Sequence, residues 1–478
     1  MTLQDIENIG TPHEQAAPAS AIPLVVALEG GLISTPVRLE ALAAALSAGE
    51  GAEALAILLR GGCGSMAAEI AGTLPLVPET VRLIENARAG ARPVYLLVPE
   101  RLLPLGGALA ARLGPIDGLL PLESFTASPS AALKEAGLGP VFDYAGSATP
   151  KGGPWQGARQ AFAIGMTARQ AAAFRKADAP VLPLSAPGSS IVALLKLLRP
   201  HQYAKNLLVL VPLLTSHQMG LHSLFAALLA FVCFSLTASA VYVLNDFIDM
   251  HADRAHPTKK RRPFAAGTVP PALGLSLIPL LLFGAGLTAT VLPPLFGLFL
   301  ALYVGLTTAY SFSLKKMMLA DVTVLSLLYT LRVVAGAAAI GVDMSEWLFA
   351  FSLLMFTALA LTKRYVELSA RLDRDLPDPS NRDYRISDLP VVAALAAAAG
   401  MNAITVLALY VNSETVKRLY AHPALLWLLC PLFLYWMSRV LLLAHRRQLH
   451  DDPIVFALKD VRSWLVGALC LALMALAA

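Results

Sequence analysis

The stretch Asn245-Asp246-Phe247-Ile248-Asp249-Met250-His251-Ala252-Asp253 is where the interpretation of this chain begins. It follows an apolar run, Leu221–Leu244, of the length that crosses a bilayer as a helix. If the helix continues, Asp246, Asp249 and Asp253 are spaced i, i+3 and i+7 and share one face. Carboxylates so placed repel one another unless a cation lies among them, and Mg²⁺ binds carboxylates together with substrate phosphates. The stretch therefore predicts a Mg²⁺ site at the end of a membrane helix, with these three carboxylates as the metal ligands.

A basic run comes next, His256-Pro257-Thr258-Lys259-Lys260-Arg261-Arg262-Pro263-Phe264-Ala265-Ala266-Gly267. Arginine forks and lysine point charges both suit phosphate oxygens, so we expect Lys259, Arg261 and Arg262 to bind a substrate phosphate. The alternative for the carboxylates is a solvated acidic loop, neutralised by Arg254 and Lys259. A basic loop at a membrane surface would explain the basic run, but it would leave the carboxylates unexplained.

The composition places this stretch in a membrane protein. The chain has 478 residues, of which 56% are hydrophobic and 14% charged, whereas soluble proteins carry roughly 25% charged residues. This excludes an ordinary soluble globule and a disordered chain. Residues 1–188 hold 13 Lys and Arg against 16 Asp and Glu, and residues 189–478 hold 24 against 16, which gives the net charge of +5. The basic part is also the apolar part, a pattern that indicates a membrane protein and no nucleic-acid partner.

Apolar segments near membrane-spanning length occur only after about residue 190. We predict nine: Ile191–Leu214, Leu221–Leu244, Leu273–Val291, Leu295–Tyr310, Ala320–Ile340, Trp347–Thr362, Val391–Val411, Ala424–Leu443 and Trp464–Ala477. The loops after the second, fourth, sixth and eighth segments are rich in Lys and Arg, whereas the other loops carry only Lys417 and Arg418. By the positive-inside rule, the N-terminal domain and the active site are expected in the cytoplasm, with the bundle in a bacterial-type inner membrane. The N-terminus lacks a signal-peptide pattern, which agrees with this topology.

The acidic stretch, the nine segments and the basic loop together resemble the UbiA superfamily of intramembrane prenyltransferases, over about residues 190–478. Four further elements resemble the branch that contains decaprenyl-phosphate phosphoribosyltransferase: Leu198-Arg199-Pro200-His201-Gln202 with Lys205-Asn206, the His256–Gly267 run, Tyr310-Ser311 with Leu314-Lys315, and Tyr329-Thr330-Leu331-Arg332 with Ala335-Gly336. The resemblance implies Mg²⁺-dependent transfer of a 5-phosphoribosyl group from phosphoribosyl pyrophosphate to a polyprenyl phosphate. It therefore implies a polyprenyl lipid and a diphosphate-bearing co-substrate as partners, and the sequence leaves a homo-oligomer open.

One departure from the family pattern favours this branch. Aromatic-prenylating members usually carry a second Asp-rich motif, DxxxD, after the fourth span, whereas the matching region here has only Asp321. Arg332 follows three helical turns later, so we expect Asp321 and Arg332 to face one cavity. Arg364 and Glu367, in a KRYxEL element, are predicted substrate contacts or else a helix-surface ion pair. The predicted substrate-binding residues are Asn245, Lys205, Lys259, Arg261, Arg262, Lys315, Asp321, Arg332, Lys363, Arg364 and Glu367.

Two other sets of polar residues are not predicted to be metal ligands. Residues 382–385, Arg-Asp-Tyr-Arg, are expected to form a mobile cover. Four residues near the eighth segment are interpreted as loop residues because no helical spacing joins them to the acidic stretch: His445, His450, Asp451 and Asp452.

Residues 1–188 read as a separate α/β domain, and residues 189–478 as the transferase domain. The stretch Leu24–Ile33 reads as an apolar strand followed by a glycine turn, and two further strands are predicted at Pro93–Val98 and Pro140–Gly146. They alternate with helices at Val37–Leu46 and Pro78–Ala89. We therefore expect an all-α polytopic membrane bundle preceded by a soluble, Rossmann-like α/β domain.

The spacing of the α/β domain resembles haloacid dehalogenase-like phosphatases, whose first strand ends in DxDGT. The matching residues here are Ala27, Glu29, Gly30 and Gly31, while Ser147 replaces a later acidic residue and Lys134 matches the lysine of the third motif. Because Ala27 cannot form an aspartyl-phosphate, we expect a catalytically inactive domain with a scaffolding or regulatory role.

Two other functions remain open for the transferase domain. The first is transfer of a polyprenyl group from its diphosphate to an aromatic acceptor, which would use the same metal site. The second is a non-catalytic membrane scaffold, against which the intact set of three aspartates argues.

Overall fold

The computed structural model describes residues 22–147, 153–165, 181–184, 191–216, 218, 220–379, 382–449 and 452–478. The chain forms two compact units. The first comprises Met1–Leu197 with Asp246–Leu275, and the second comprises Leu198–Asn245 with Ser276–Ala478. The segment with the acidic and basic runs therefore packs with the N-terminal part of the chain.

The first unit is built on a parallel sheet of six strands. They are β1 (Leu24–Ala27), β2 (Val94–Val98), β3 (Gly118–Pro121), β4 (Asp143–Gly146), β5 (Gln160–Ile164) and β6 (Val181–Leu184), in the order β3-β2-β1-β4-β5-β6. The central strand β1 is buried along its whole length. Near-continuous apolar strands are typical of a parallel sheet covered on both faces, and the three predicted strands are confirmed.

Strand β1 ends at Ala27, and the predicted glycine turn follows it. Gly30 has a left-handed φ of +72°, and a Cβ on Gly31 would lie 2.3 Å from the Ala27 carbonyl oxygen. Only glycine allows this close backbone approach. The turn leads into the helix Val37–Ala48, which ends at Gly49 in the left-handed conformation.

Most of the helices of the first unit are short. Their bounds are Val37–Ala48, Gly51–Arg60, Ala67–Thr73, Pro78–Ala89, Leu103–Leu113, Leu122–Ala127, Pro129–Glu135, Ile191–Leu198 and Met250–Ala255. The predicted helix at Pro78–Ala89 has the same bounds in the structure, with proline in its first turn where no backbone donor is lost.

The second unit is helical. Within the described residues, seven helices are long and apolar enough to cross a membrane: Leu221–Ile248, Pro271–Ala289, Pro294–Phe312, Ala320–Ala339, Glu346–Leu372, Ile386–Val411 and Pro423–His445. The pair Pro453–Lys459 and Val461–Ala477 passes the same test together but bends by 82°. A second bent pair, Gly51–Arg60 with Gly64–Thr73, belongs to the sheet unit. The described part of the chain thus offers seven to nine spans, and nine were predicted.

The predicted first span, Ile191–Leu214, is not a single helix. It is divided into the helix Ile191–Leu198, a 3-10 stretch Pro200–Leu210 and the helix Val211–Thr215. Arg199 adopts a left-handed φ of +53° immediately before Pro200. Proline disfavours the α conformation in the residue before it, which explains the break.

The helix Ala320–Ala339 is the most buried of the seven long helices. A Cβ on Gly336 would lie 2.1 Å from the carbonyl oxygen of Val209, so the two backbones are in direct contact there. Small residues allow such close approach between membrane segments. Phe234 packs beside this helix against Tyr303, with ring centroids 5.0 Å apart.

Candidate active site

The three aspartates of the acidic stretch lie at a break between two helices. Asp246 is in the last turn of Leu221–Ile248, Asp249 follows the helix, and Asp253 is in the short helix Met250–Ala255. Asp246 and Asp253 are buried, at 2% and 3% exposure, and Asp249 is half-buried. The predicted continuous helix is therefore interrupted at Asp249, but the three residues stay within two successive turns of chain.

Arg262 joins two of these carboxylates. Its Nη1 lies 2.6 Å from Asp253 Oδ2 and 3.2 Å from Asp246 Oδ1. The predicted proximity of acidic and basic residues is thus seen directly for Arg262. Lys259 and Arg261 lie in an exposed 3-10 turn of the same loop, and Asn245 is half-buried at the helix end.

The basic loop is held in place by an aromatic residue. Phe264 is buried and packs edge-on against Phe247, with ring centroids 6.3 Å apart. A Cβ on Gly274 would lie 2.2 Å from the Phe264 ring, so glycine makes room for it. Because Phe264 follows Arg262 by two residues, this packing fixes the guanidinium beside the carboxylates.

The electrostatics of the acidic stretch favour additional positive charge. Burial raises the pKa of Asp253, and Arg262 only partly offsets this effect. Burying two carboxylates beside each other is costly, and positive charge near them offsets this cost. Within the described residues, no three Asp, Glu, His or Cys side chains are close enough together to enclose a metal ion by themselves. Mg²⁺ is commonly held by one or two carboxylates plus water and substrate phosphates, so this donor set fits Mg²⁺ bound with a diphosphate.

A second set of charges, in the membrane unit, surrounds Asp321. Asp321 is fully buried and accepts a hydrogen bond of 2.7 Å from the Tyr384 hydroxyl. Arg364 Nε lies 3.1 Å and Arg382 Nη1 3.2 Å from Asp321 Oδ2, and Arg364 also pairs with Glu367. The carboxylate of Asp321 is thus surrounded by side chains of the protein.

The surroundings of Asp321 bear on two expectations, one for the Arg364 and Glu367 pair and one for the cover at residues 382–385. The Arg364 and Glu367 pair is part of a buried network and not an isolated surface pair, because Arg364 is 1% exposed. Arg382 and Tyr384, expected in a mobile cover, are instead built into this network. Tyr384 is 3% exposed, and its hydroxyl also accepts a hydrogen bond from the backbone of Leu319.

A third set links two predicted phosphate-binding lysines through an aspartate. Asp452 Oδ2 lies 2.9 Å from Lys363 Nζ and 3.6 Å from Lys205 Nζ. Burial alone would raise the pKa of Asp452, but the two lysines lower it to about 2. Asp452, interpreted as a loop residue, lies between two helices and caps the helix Pro453–Lys459, and it also forms these ion pairs. His445 lies beside Tyr365, while His450 and Asp451 lie outside the described residues.

Arg332 lies deep in the membrane unit and has neutral partners. Its Nε donates to Asn206 Oδ1 at 3.0 Å, Nη1 to the Leu328 carbonyl oxygen, and Nη2 to the Tyr303 hydroxyl at 2.8 Å. Asp321 and Arg332 therefore belong to different hydrogen-bonded sets, although their helical spacing suggested one cavity. Lys315 is half-buried in the short turn Leu314–Lys316.

In the N-terminal unit, the residues after the first strand take part in the fold. Ala27 is 6% exposed at the end of β1, and Glu29 accepts a 2.7 Å hydrogen bond from the backbone of Val37. A cavity of about 250 Å³ beside Glu29 is lined mainly by arginines and glycines, namely Arg38, Arg60, Gly61, Gly62 and Arg101 with Leu59 and Leu102. Glu29 thus stabilises the start of the helix Val37–Ala48.

Comparison with known proteins assigns the helical part of the chain. The chain belongs to the UbiA prenyltransferase family, whose profile matches residues 207–466. Uncharacterized protein y4nM of Sinorhizobium fredii is 36% identical over 409 residues, which cover 83% of this chain and 78% of that protein. The decaprenyl-phosphate phosphoribosyltransferase of Mycolicibacterium smegmatis is 36% identical over 192 residues, 39% of this chain and 60% of that protein.

A solved structure of a UbiA homolog from Archaeoglobus fulgidus, bound to GPP and Mg²⁺, aligns with a TM-score of 0.47 at 15% identity. The alignment covers 59% of this chain and 99% of that chain. Family membership makes this protein an integral membrane transferase of the UbiA type, and it confirms the predicted family for the C-terminal part.

Proposed function

We propose that this protein transfers a 5-phosphoribosyl group from phosphoribosyl pyrophosphate to a polyprenyl phosphate, using Mg²⁺ at Asp246, Asp249 and Asp253. The observation that carries the proposal is the buried pair Asp246 and Asp253, both of which contact the guanidinium of Arg262. A site that combines buried carboxylates with an arginine able to bind phosphate suits a magnesium diphosphate.

The contacts of Asp321 support phosphoribosyl pyrophosphate as the donor. Two arginines and a tyrosine hydroxyl already surround this carboxylate. It is therefore poorly suited to act as a second metal ligand, which family members that prenylate aromatic acceptors usually supply. The partial likeness to decaprenyl-phosphate phosphoribosyltransferases points to the same donor.

The proposed reaction requires no strong general acid or general base. The C1–oxygen bond to pyrophosphate breaks, and an oxygen of the lipid phosphate forms the new bond to C1. Because that phosphate is already anionic, the enzyme has no proton to remove from the nucleophile. Bound Mg²⁺ would supply charge neutralisation for the diphosphate. Arg262 would hold a phosphate oxygen, and the exposed Lys259 and Arg261 would attract the anionic donor.

The α/β domain is proposed to have no phosphatase activity. The strand order β3-β2-β1-β4-β5-β6 is the doubly wound arrangement expected of a Rossmann-like sheet. The end of β1, however, presents Ala27 in place of a nucleophile, and Glu29 is engaged at a helix start.

Competing substrate pairs test the donor directly. Purified full-length protein with Mg²⁺ is given phosphoribosyl pyrophosphate plus polyprenyl phosphate, and separately a polyprenyl diphosphate plus 4-hydroxybenzoate. We expect product only from the first pair. Product from the second pair alone would establish the prenyl-transfer alternative instead.

A variant of the acidic stretch tests the role of the metal. Asp249→Asn keeps the side-chain shape but removes a charge, so we expect transfer to fall by at least about a hundredfold. Glu50→Gln, at an exposed position, is the matched control and should transfer normally. Full activity in the Asp249 variant would rule out the metal site and would favour a non-catalytic interpretation of the aspartates.

A further inference from the structure

A buried carboxylate of the N-terminal helix Val37–Ala48 pairs with the segment that carries the aspartates. Glu40 is 0% exposed, and its two oxygens accept hydrogen bonds from Arg254 Nη1 at 2.8 Å and Nη2 at 2.9 Å. Thr35 donates a third hydrogen bond of 2.7 Å to the same carboxylate. This bidentate pair joins residues 214 positions apart in the sequence, within one compact unit. A buried pair of this geometry fixes the relative position of the two segments.

A histidine adds a second link between the same segments. His251 Nε2 lies 3.0 Å from the backbone oxygen of Glu40, and Nδ1 lies 2.7 Å from Thr73 Oγ1. Because a carbonyl oxygen can only accept, Nε2 carries a hydrogen and donates it to Glu40. Both ring nitrogens are therefore used to attach the short helix Met250–Ala255 to two helices of the sheet unit.

Two faces of the helix Met250–Ala255 contact different partners. His251 and Arg254 are spaced i, i+3 and lie on the face that contacts Glu40. Asp253 lies on another face and contacts Arg262. Holding the first face fixes the rotation of the helix, and the direction of the Asp253 carboxylate follows from that rotation.

We propose that the N-terminal domain positions the metal-binding aspartates of the transferase, through Glu40, Arg254 and His251 as positioning residues. The proposal rests on the metal site of the proposed function. It gives the α/β domain, which has Ala27 where a phosphatase has its nucleophile, a present role in the transfer reaction. Without Glu40, the helix Met250–Ala255 would lose its charged anchor, and Asp249 and Asp253 would no longer be held in register with Asp246.

Metal binding in the presence of inorganic pyrophosphate provides the first test. Full-length protein in lipid nanodiscs is dialysed to equilibrium against Mn²⁺, a paramagnetic substitute for Mg²⁺, and pyrophosphate, and the excess Mn²⁺ on the protein side is measured by electron paramagnetic resonance after release with acid. We expect Glu40→Gln to weaken binding about tenfold, as is usual when a residue that orients metal ligands is changed. Glu50→Gln, a matched change at an exposed position, should bind as the wild type does. Wild-type affinity in a folded Glu40→Gln protein would overturn the proposal.

Hydrogen exchange provides a readout that does not depend on the metal. Backbone amides of residues 249–255 should exchange faster in Glu40→Gln than in Glu50→Gln, with the strands β1 and β2 unchanged. Unchanged exchange in residues 249–255 would likewise refute the positioning role. If Glu40→Gln does not fold, Thr73→Val removes the hydrogen bond to His251 together with a weaker one within its own helix, to the Ile70 carbonyl oxygen, and leaves the Glu40 pair intact. It should shift both measurements in the same direction by a smaller factor.

The two proposals can fail separately. A wild-type protein that binds Mn²⁺ but transfers no phosphoribosyl group, with weaker binding in Glu40→Gln, would refute the proposed donor and support the positioning role. A wild-type protein that binds no Mn²⁺ would overturn both.

Discussion

Neutralising Asp321 tests whether this residue serves the fold or the reaction. In Asp321→Asn, the buried Arg364 loses the carboxylate 3.1 Å from its Nε and retains only Glu367, which is 41% exposed. Arg382 loses the same partner at 3.2 Å. Removing one member of a buried ion pair leaves the other charge desolvated, which costs about 3–5 kcal/mol. Since Asp321 is 0% exposed, we expect a cost within this range.

Thermal unfolding in nanodiscs, followed by tryptophan fluorescence, measures this effect. With roughly 2–4 °C per kcal/mol for units of this size, the apparent Tm of Asp321→Asn should fall by about 10 °C. Asp343→Asn, an exposed change in the same unit, should shift the free energy of unfolding by less than about 0.5 kcal/mol. Adding Arg364→Gln to Asp321→Asn removes the orphaned charge, so the double variant should be less destabilised than the two single variants summed.

A Tm close to that of the wild type, together with lost transfer activity, would refute this reasoning. That outcome would mean that Asp321 contacts a reactant and that its two arginines are stable without it. A lowered Tm with normal turnover below the transition would support the structural role.

Three further substitutions probe the membrane unit, each measured by the same thermal unfolding. Gly336→Ala would place a Cβ 2.1 Å from the Val209 carbonyl oxygen, so we expect a loss of about 3 kcal/mol. Arg332→Lys keeps the charge but cannot donate at once to Asn206 and to its other partners, so it should also cost about 3 kcal/mol, and near-wild-type stability would contradict this. Asp452→Asn leaves two lysines without their shared carboxylate and should cost about 2–3 kcal/mol. Because the pKa of Asp452 is lowered to about 2, wild-type stability from this group should be retained at neutral pH and lost only as the pH falls towards 2.

The sequence predicted those parts of the site that lie close together in the chain. Asp246 and Asp253 are separated from Arg262 by a short loop, and the alternation of acidic and basic runs was enough to place them together. The apolar strands were equally visible, because a parallel sheet buried on both faces needs continuous apolar residues. The glycine turn after β1 was predicted as well, but only backbone geometry reveals how closely Gly31 approaches Ala27.

Partners that are distant in the chain could not be found from spacing. Asp452 carries no periodic relation to Lys205 or Lys363, so nothing in the sequence marked it as their shared counter-charge. Glu40 looked like one more acidic residue in an alanine-rich helix. Asp321 and Arg332 share a helical spacing, but their side-chain partners lie on different segments, with Tyr384 beside Asp321 and Asn206 and Tyr303 beside Arg332.

The grouping of residues 246–275 with the N-terminal sheet also constrains how the chain threads the bilayer. If both parts of this compact unit lie on one side of the membrane, the chain between them crosses an even number of times. The helix Leu221–Ile248 is long and apolar enough for one crossing. We therefore predict a second crossing in the broken segment before it, despite the left-handed Arg199.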